Sequence, residues 1–179
     1  MTVLGAIIAG GQSRRFGGDK AAALVGGKAL IQHAIDALAP QVNALVIVGR
    51  AWGGHPSVED HPFACGPLSG LCAALRSARD QGHDHVLTAG CDVLPIPPTL
   101  RRALEGDGAA VVAGQRLLGL WPSAMAGPLE AHIHAQSNHA ANYALHHWIA
   151  LSGARSVTLA TPLHNLNTAE DLARFQALG

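Results

Sequence analysis

A chain of 179 residues is long enough to bury a core without disulfides or a structural metal, and a single domain over 1–179 is expected. Twelve basic and twelve acidic side chains cancel, so no overall field draws in nucleic acid or an anionic membrane, and any anionic ligand must be held locally. Hydrophobic residues make up 49% of the chain, but Gly, His or Asn interrupts each apolar stretch before membrane-spanning length, which excludes a helical bilayer span.

Met1 to Ala9 carries no basic leader and runs into glycines instead of a small-residue cleavage site, so a cytoplasmic protein is expected. Cys65, Cys72 and Cys91 are odd in number and form no C-x-x-C pair, which suits a reducing compartment. Of eleven histidines, His132, His134, His139, His146 and His147 crowd one region. They show no H-E-x-x-H pattern and have no Cys nearby, so a solvated helical face is favoured over a metal site.

Val3 to Ala9 is a short run of Val and Ile ending at two glycines, the pattern of a buried parallel strand entering a loop. Ala29 to Leu38 has apolar residues at helical spacing and stops at Pro40, and Ala44 to Val48 is the next strand, making a βαβ unit. Ser69 to Ala78 repeats the helical pattern. His85 to Ala89 is a strand that breaks at Gly90-Cys91-Asp92 and the turn Pro95 to Pro98. Thr99 is placed to cap a short helix to Glu105, and Ala109 to Ala113 reads as a strand. Leu117 to Trp121 reads as an edge strand, because Pro122 follows it. Met125 to Ala135 and Ala144 to Leu151 read as helices, and Val157 to Leu159 as a last strand. Thr168, with Asp171 three residues on, opens a terminal helix to Leu178. Strands alternating with helices over the first hundred residues imply an α/β, three-layer architecture with a mostly parallel sheet and ligands at the carboxyl ends of its strands.

The segment from Ala9 to Lys20 follows the first strand and holds Gly10, Gly11, Gly17 and Gly18 together with Arg14, Arg15 and Lys20. Glycines let backbone N–H groups turn inward around phosphate oxygens, and the cations neutralise polyphosphate charge. The spacing is neither the Walker pattern nor the dinucleotide pattern G-x-G-x-x-G, whose absence also disfavours an oxidoreductase. Asp92, just past a predicted strand end, is placed to bind Mg²⁺ with substrate phosphates, although Asp before a proline-rich turn is equally common as a turn former. Asp60, in a lone Glu-Asp pair, carries a weaker signal. Gly66 to Leu71 reads equally as a helix start whose small residues permit close packing.

The loop resembles the A-G-G-x-S-x-R-M-G-x-D-K segment of the molybdenum cofactor guanylyltransferases, with Phe16 in place of Met. Further pieces follow in that family's order: Glu59-Asp60, Gly66-Pro67-Leu68-Ser69-Gly70-Leu71, Cys91-Asp92 with Pro95, Leu118-Gly119-Leu120-Trp121-Pro122, and Asn165-Leu166-Asn167-Thr168. The resemblance covers the whole chain and implies a Rossmann-like nucleotidyltransferase fold. It implies that Ala9, Gly10 and Gly11 approach guanine and ribose, and that Arg15 and Lys20 hold the triphosphate. Asp60, Ser13 and Gly66 would complete the nucleotide site, Asp92 would hold Mg²⁺, and Asn165 and Asn167 would lie near the metal and the acceptor. Arg15, Lys20 and Asp92 are the implied catalytic set. The implied reaction transfers GMP from GTP to the terminal phosphate of molybdopterin, with or without molybdenum, and the implied protein partners are those that insert molybdenum or mature molybdoenzymes.

Two positions depart from the family. Val48 stands where relatives often carry a nucleotide-contacting Asn, and Ala141 to Leu145 stands where they often have a basic G-x-R-x-V stretch. Use of CTP, a different phosphorylated acceptor, or a non-catalytic nucleotide or pterin carrier therefore stay open beside the guanylyltransferase. Ala9-Gly10-Gly11 favours GTP, because cytidylyltransferase relatives usually have Ala in place of the first glycine.

Overall fold

The computed structural model describes residues 1–10, 16–60, 66–136 and 144–177. In chain order they form β1 (Val3–Ile8), a 3-10 turn (Lys20–Ala22), β2 (Leu24–Val25), β3 (Lys28–Ala29), α1 (Leu30–Leu38), β4 (Ala44–Val48), β5 (Ser57–Val58) and α2 (Pro67–Asp80). There follow β6 (His85–Gly90), β7 (Val93–Leu94), α3 (Leu100–Leu104), β8 (Ala110–Val112), β9 (Gln115–Pro122), α4 (Ala126–Ala135), α5 (Leu145–Leu151), β10 (Arg155–Val157), β11 (His164–Asn165) and α6 (Ala169–Gln176).

Every residue of β1 is buried, as a strand covered on both faces must be. Leu4, Ala6 and Ile8 pack on one side with Leu68, Leu71 and Leu75 of α2. Val3 and Ile7 pack on the other with Ile31, Ile35 and Leu38 of α1. This division makes the three layers. Among the described residues the main sheet has seven strands in the order β10-β8-β9-β6-β1-β4-β5, and β4, β1 and β6 run parallel. Ile8 is level with Val48 on one side and Gly90 on the other, so Ala9, Gly49 and Cys91 leave the sheet along one rim. No helix among the described residues is long and apolar enough to cross a membrane.

β9 corrects the sequence-based expectation. It is an internal strand, antiparallel to both β6 and β8, and it begins at Gln115. Pro122 is compatible with this because it stands at the last ladder position, opposite His85, where the missing N–H removes no bond from the strand's interior. Since β9 runs against β6, its first residues lie at the rim where β6 ends.

Two smaller expectations also shift. Thr99 precedes α3 but makes no side-chain cap; the buried Gln41 side chain instead accepts from the Arg101 N–H at 2.9 Å. The late strand β10 covers Arg155–Val157 rather than Val157–Leu159, because the Arg155 N–H bonds the Ala109 carbonyl at 2.8 Å and its guanidinium bonds the Leu104 carbonyl at 3.0 Å, and it is not the last, since β11 follows it. The Thr168 cap forms as expected, with Thr168 Oγ1 accepting from the Asp171 N–H at 3.1 Å and Asp171 Oδ2 accepting from the Thr168 N–H at 2.9 Å.

The β6–β9 pair is fastened by one buried hydroxyl. Thr88 Oγ1 accepts from Trp121 Nε1 at 3.1 Å and donates to the Gly119 carbonyl at 3.2 Å, with Trp121 fully buried. Replacing Thr88 by Val keeps the shape but leaves the indole N–H without an acceptor. Thr88→Val is expected to lower the unfolding free energy by roughly 1–3 kcal/mol in urea denaturation; an unchanged midpoint and slope would contradict this role.

Candidate active site

Lys20 is the meeting point of three distant segments. Asp19 caps the turn it belongs to by accepting from the Ala21 N–H at 3.1 Å. From that turn Lys20 Nζ donates to Asp92 Oδ2 at 3.0 Å and to Asn167 Oδ1 at 2.8 Å. The Lys20 side chain is 13% exposed and that of Asp92 30% exposed, so the pair is shielded from bulk water without being sealed from it.

Each partner of Lys20 is fixed by its own local structure. Asp92 follows β6, and a Cβ on Gly90 would sit 2.6 Å from Asp92 Oδ1, so glycine at 90 clears room for the carboxylate. The Asp92 carbonyl accepts from the Leu166 N–H at 2.8 Å, and β7 and β11 pair Val93 with Asn165. Asn167 lies one residue before the α6 cap, and its N–H donates to Asp171 Oδ2 at 3.0 Å. The capping box thus also orients the asparagine that meets Lys20.

Asp19 carries a second constraint that the sequence did not disclose. Arg50 Nη1 and Nη2 donate to its two oxygens, each at 2.7 Å, in the bidentate geometry that favours Arg over Lys. That hydrogen bonding, with a coulombic contribution from the same guanidinium, holds the Asp19 carboxyl below the usual aspartate range. Arg50 also lies 5.3 Å from the centre of the Trp52 ring, close enough for a cation–π contact. Val48, two residues before Arg50, is fully buried, so this position contributes to the core and not to the rim.

A second cluster surrounds the ends of β1 and β4. A Cβ on Gly10 would run into Asp60 Oδ2, and one on Gly49 would lie 2.5 Å from the Gly10 Cα. Gly49 has φ +84°, a conformation glycine adopts without the steric penalty of a side chain. Gly70 of α2 lies close to Ile8, where an added Cβ would be 2.6 Å from Cγ2. The glycines therefore bring backbone up to the Asp60 carboxylate. Asp60 Oδ1 is buried and has no hydrogen-bond partner among the described residues, and desolvation pushes the carboxyl above the usual aspartate range.

Of the residues singled out in the sequence, Lys20, Asp92 and Asn167 are in direct contact, while Gly10 and Asp60 form the neighbouring cluster beside Ala9. Asn165 and Asp92 share the wall of an open cavity of about 310 Å³. Gly66, with φ +60°, turns the chain into α2. Gly11, Ser13 and Arg15 lie outside the described residues, as do Cys65, His139 and the stretch 141–143. His132 packs on Trp148 with ring centres 5.5 Å apart, and His146 on His147 at 4.4 Å. Among the described residues no cluster of three or more His, Cys, Asp or Glu is arranged to hold a metal. Burial, with the Asp92 charge next in weight, pushes the Cys91 thiol up to about 11, which keeps it inert as a nucleophile.

The fold is shared with solved nucleotidyltransferases. A nucleotidyl transferase from Methanothermobacter superposes with a TM-score of 0.72 at 19% identity, covering 99% of this chain and 97% of its own. The molybdopterin-guanine dinucleotide biosynthesis protein A of Archaeoglobus fulgidus gives 0.70 at 20% identity, covering 98% and 97%. The chain belongs to the family of the MobA-like NTP transferase domain, whose model matches residues 5–155. A molybdenum cofactor guanylyltransferase of Cereibacter sphaeroides is 39% identical over 193 residues, spanning 99% of this chain and 97% of that protein.

Because folding raises the Asp60 pKa, the group's contribution to stability is full below about 3.9, the ordinary aspartate value, and is lost as pH rises through the folded value. In the ligand-free protein the wild type should therefore gain stability relative to Asp60→Asn as pH falls from 7 to 4. Denaturant titrations at several pH values check this; a difference that does not vary with pH would contradict the buried-charge account.

Proposed function

We propose that the protein transfers GMP from GTP to the terminal phosphate of molybdopterin, with or without bound molybdenum, and releases pyrophosphate. The observation that carries this reading is Lys20 Nζ, held between Asp92 and Asn167 at the strand rim where nucleotides bind in open α/β sheets. The relatives' name as molybdenum cofactor guanylyltransferases supports the choice of substrates. The family's activity is proposed to reside in one cytoplasmic domain, with transient contacts to proteins that insert molybdenum or mature molybdoenzymes.

In this reading Ala9, Gly10 and Gly11 receive the guanine and ribose. Asp60 accepts hydrogen bonds from the nucleoside, which would supply the donor its buried oxygen lacks among the described residues. Lys20 and Arg15 hold the triphosphate and take up the charge of the departing pyrophosphate, with Ser13 and Gly66 lining the nucleotide. Asp92, with Asn165 and Asn167 close to it, would hold Mg²⁺. The donor set fits, since Mg²⁺ sites commonly pair one or two carboxylates with substrate phosphates, and Lys20 engages Asp92 through Oδ2. When bound, the ion supplies further neutralisation of the phosphate oxygens.

A phosphate monoester has its second pKa near ~6, so the attacking oxygen is largely ionised at neutral pH without a general base. That oxygen forms a bond to the α-phosphorus of GTP. The bond from that phosphorus to the bridging oxygen breaks, and its electron pair leaves with pyrophosphate. The protein's own contribution is alignment and charge stabilisation, which dominate this class of transfer.

Pyrophosphate release from GTP, CTP and ATP with molybdopterin as acceptor tests the reading. GTP should be preferred, and Lys20→Ala and Asp92→Ala should each lower kcat by roughly 100-fold or more. Wild-type turnover in Asp92→Ala at saturating Mg²⁺ and GTP would remove the metal assignment. A preference for CTP, or GTP binding without pyrophosphate release, would replace the guanylyltransferase with a different transferase or a carrier.

A further inference from the structure

The cavity beside Asp92 contains a cation that the sequence motifs do not include. Its wall is formed by Asp92 and Asn165, apolar surface comes from Val93, Leu117 and Leu145, and Arg116 stands among the lining residues. Arg116 is the second residue of β9, and the antiparallel pairing of β9 with β6 carries it to the rim past Gly90. The packing there is close: a Cβ on Gly90 would be 3.3 Å from Leu117 Cδ1 as well as 2.6 Å from Asp92 Oδ1. Arg116 is exposed and makes no hydrogen bond or ion pair among the described residues, unlike Lys20 and Arg50, which are both engaged by carboxylates.

The order β9-β6-β1-β4 separates this cavity from the Gly10–Asp60 cluster. Asp92 leaves β6 in the middle, with Arg116 on the β9 flank and Gly10, Gly49 and Asp60 on the β1 and β4 flank. Neighbouring strands are spaced by about 4.8 Å, so the two flanks are separated by two to three strand spacings, roughly 10–15 Å. Two substrates that react at a phosphate between them need this arrangement, one on each side of the charged centre.

We propose that this cavity takes the phosphorylated second substrate and that Arg116 is the cation that grips its phosphate. A guanidinium offers paired donors that match two phosphate oxygens, leaving a third oxygen for attack at the nucleotide's α-phosphorus. The apolar side chains of Val93, Leu117 and Leu145 favour a flat ring system carrying that phosphate over a small sugar phosphate, whose hydroxyls would lose hydrogen bonds against them. The inference rests on the transferase reading and adds to it the residue that selects the acceptor.

The test compares wild type with Arg116→Gln and Arg116→Lys, using molybdopterin and GTP. Arg116→Gln should raise the KM for molybdopterin roughly tenfold or more with the KM for GTP changed less than about twofold, and Arg116→Lys should recover part of the loss. Pterin fluorescence titration of the nucleotide-free proteins gives a readout independent of turnover: molybdopterin binding should weaken in Arg116→Gln, and melting temperatures should match. Unchanged acceptor KM and binding in Arg116→Gln would overturn the cavity assignment while leaving the transferase reading intact. A parallel rise in the KM for GTP would overturn it as well, since Arg116 would then serve the nucleotide. Wild-type protein that neither binds nor turns over molybdopterin would overturn the acceptor reading itself, and the cavity assignment with it.

Discussion

A single ammonium group shared between a carboxylate and an amide organises this molecule's rim. Lys20 comes from the turn after the glycine-rich loop, Asp92 from the end of β6 and Asn167 from the approach to α6, and the three meet within hydrogen-bond distance. None of them is held by that contact alone. Asp19 and Arg50 fix the turn beneath Lys20, the Leu166 N–H ties down the backbone of Asp92, and the α6 capping box orients Asn167. The result is a preorganised charged centre, and preorganisation is what makes such a centre effective, since the dipoles need not be reoriented when charge develops on a substrate. In the ligand-free protein Asp92 also provides the countercharge for Lys20, which limits the cost of holding a cation partly out of water.

The glycines beside this centre act by close approach. Gly10 and Gly49 bring two backbone segments against each other and against Asp60, where a side chain on either would force them apart, and Gly70 lets α2 close on the Ile8 side chain. The cost of the arrangement is a half-buried carboxylate with one oxygen unpaired among the described residues, disfavoured in its charged form by desolvation. Such a local loss of stability accords with the tendency of proteins to concentrate strain and unsatisfied polar groups where they bind, and it supports the proposed nucleotide role of Asp60.

The parts of this structure legible in the sequence are those encoded locally. The uninterrupted Val/Ile run of β1, the helical spacing of α1 and α2 and the Thr168–Asp171 box each lie within one window of sequence, and each forms as expected. What escaped detection depends on partners distant along the chain. Arg50 and Asp19 are 31 residues apart, and neither is unusual until β1 and β4 align them. β9 was predicted at the sheet edge because Pro122 disfavours a central strand, yet the proline falls on the last rung, where that objection lapses. The strand also begins two residues before Leu117, at Gln115, and so carries Arg116 to the rim. The short β2–β3 hairpin, turning at Gly26 and Gly27, and the β7–β11 pair have strands of two residues, too short for a period-2 pattern to register.

The most direct test of the account is a crystal structure with Mg²⁺ and a non-hydrolysable GTP analogue. Guanine and ribose should lie against Gly10 and Asp60, Lys20 Nζ should be drawn onto the phosphates and the Asp92 carboxylate should face the metal, with the cavity beside Arg116 still open. A nucleotide bound elsewhere, or one bound at the rim with the Lys20–Asp92 pair intact and no metal on Asp92, would contradict it.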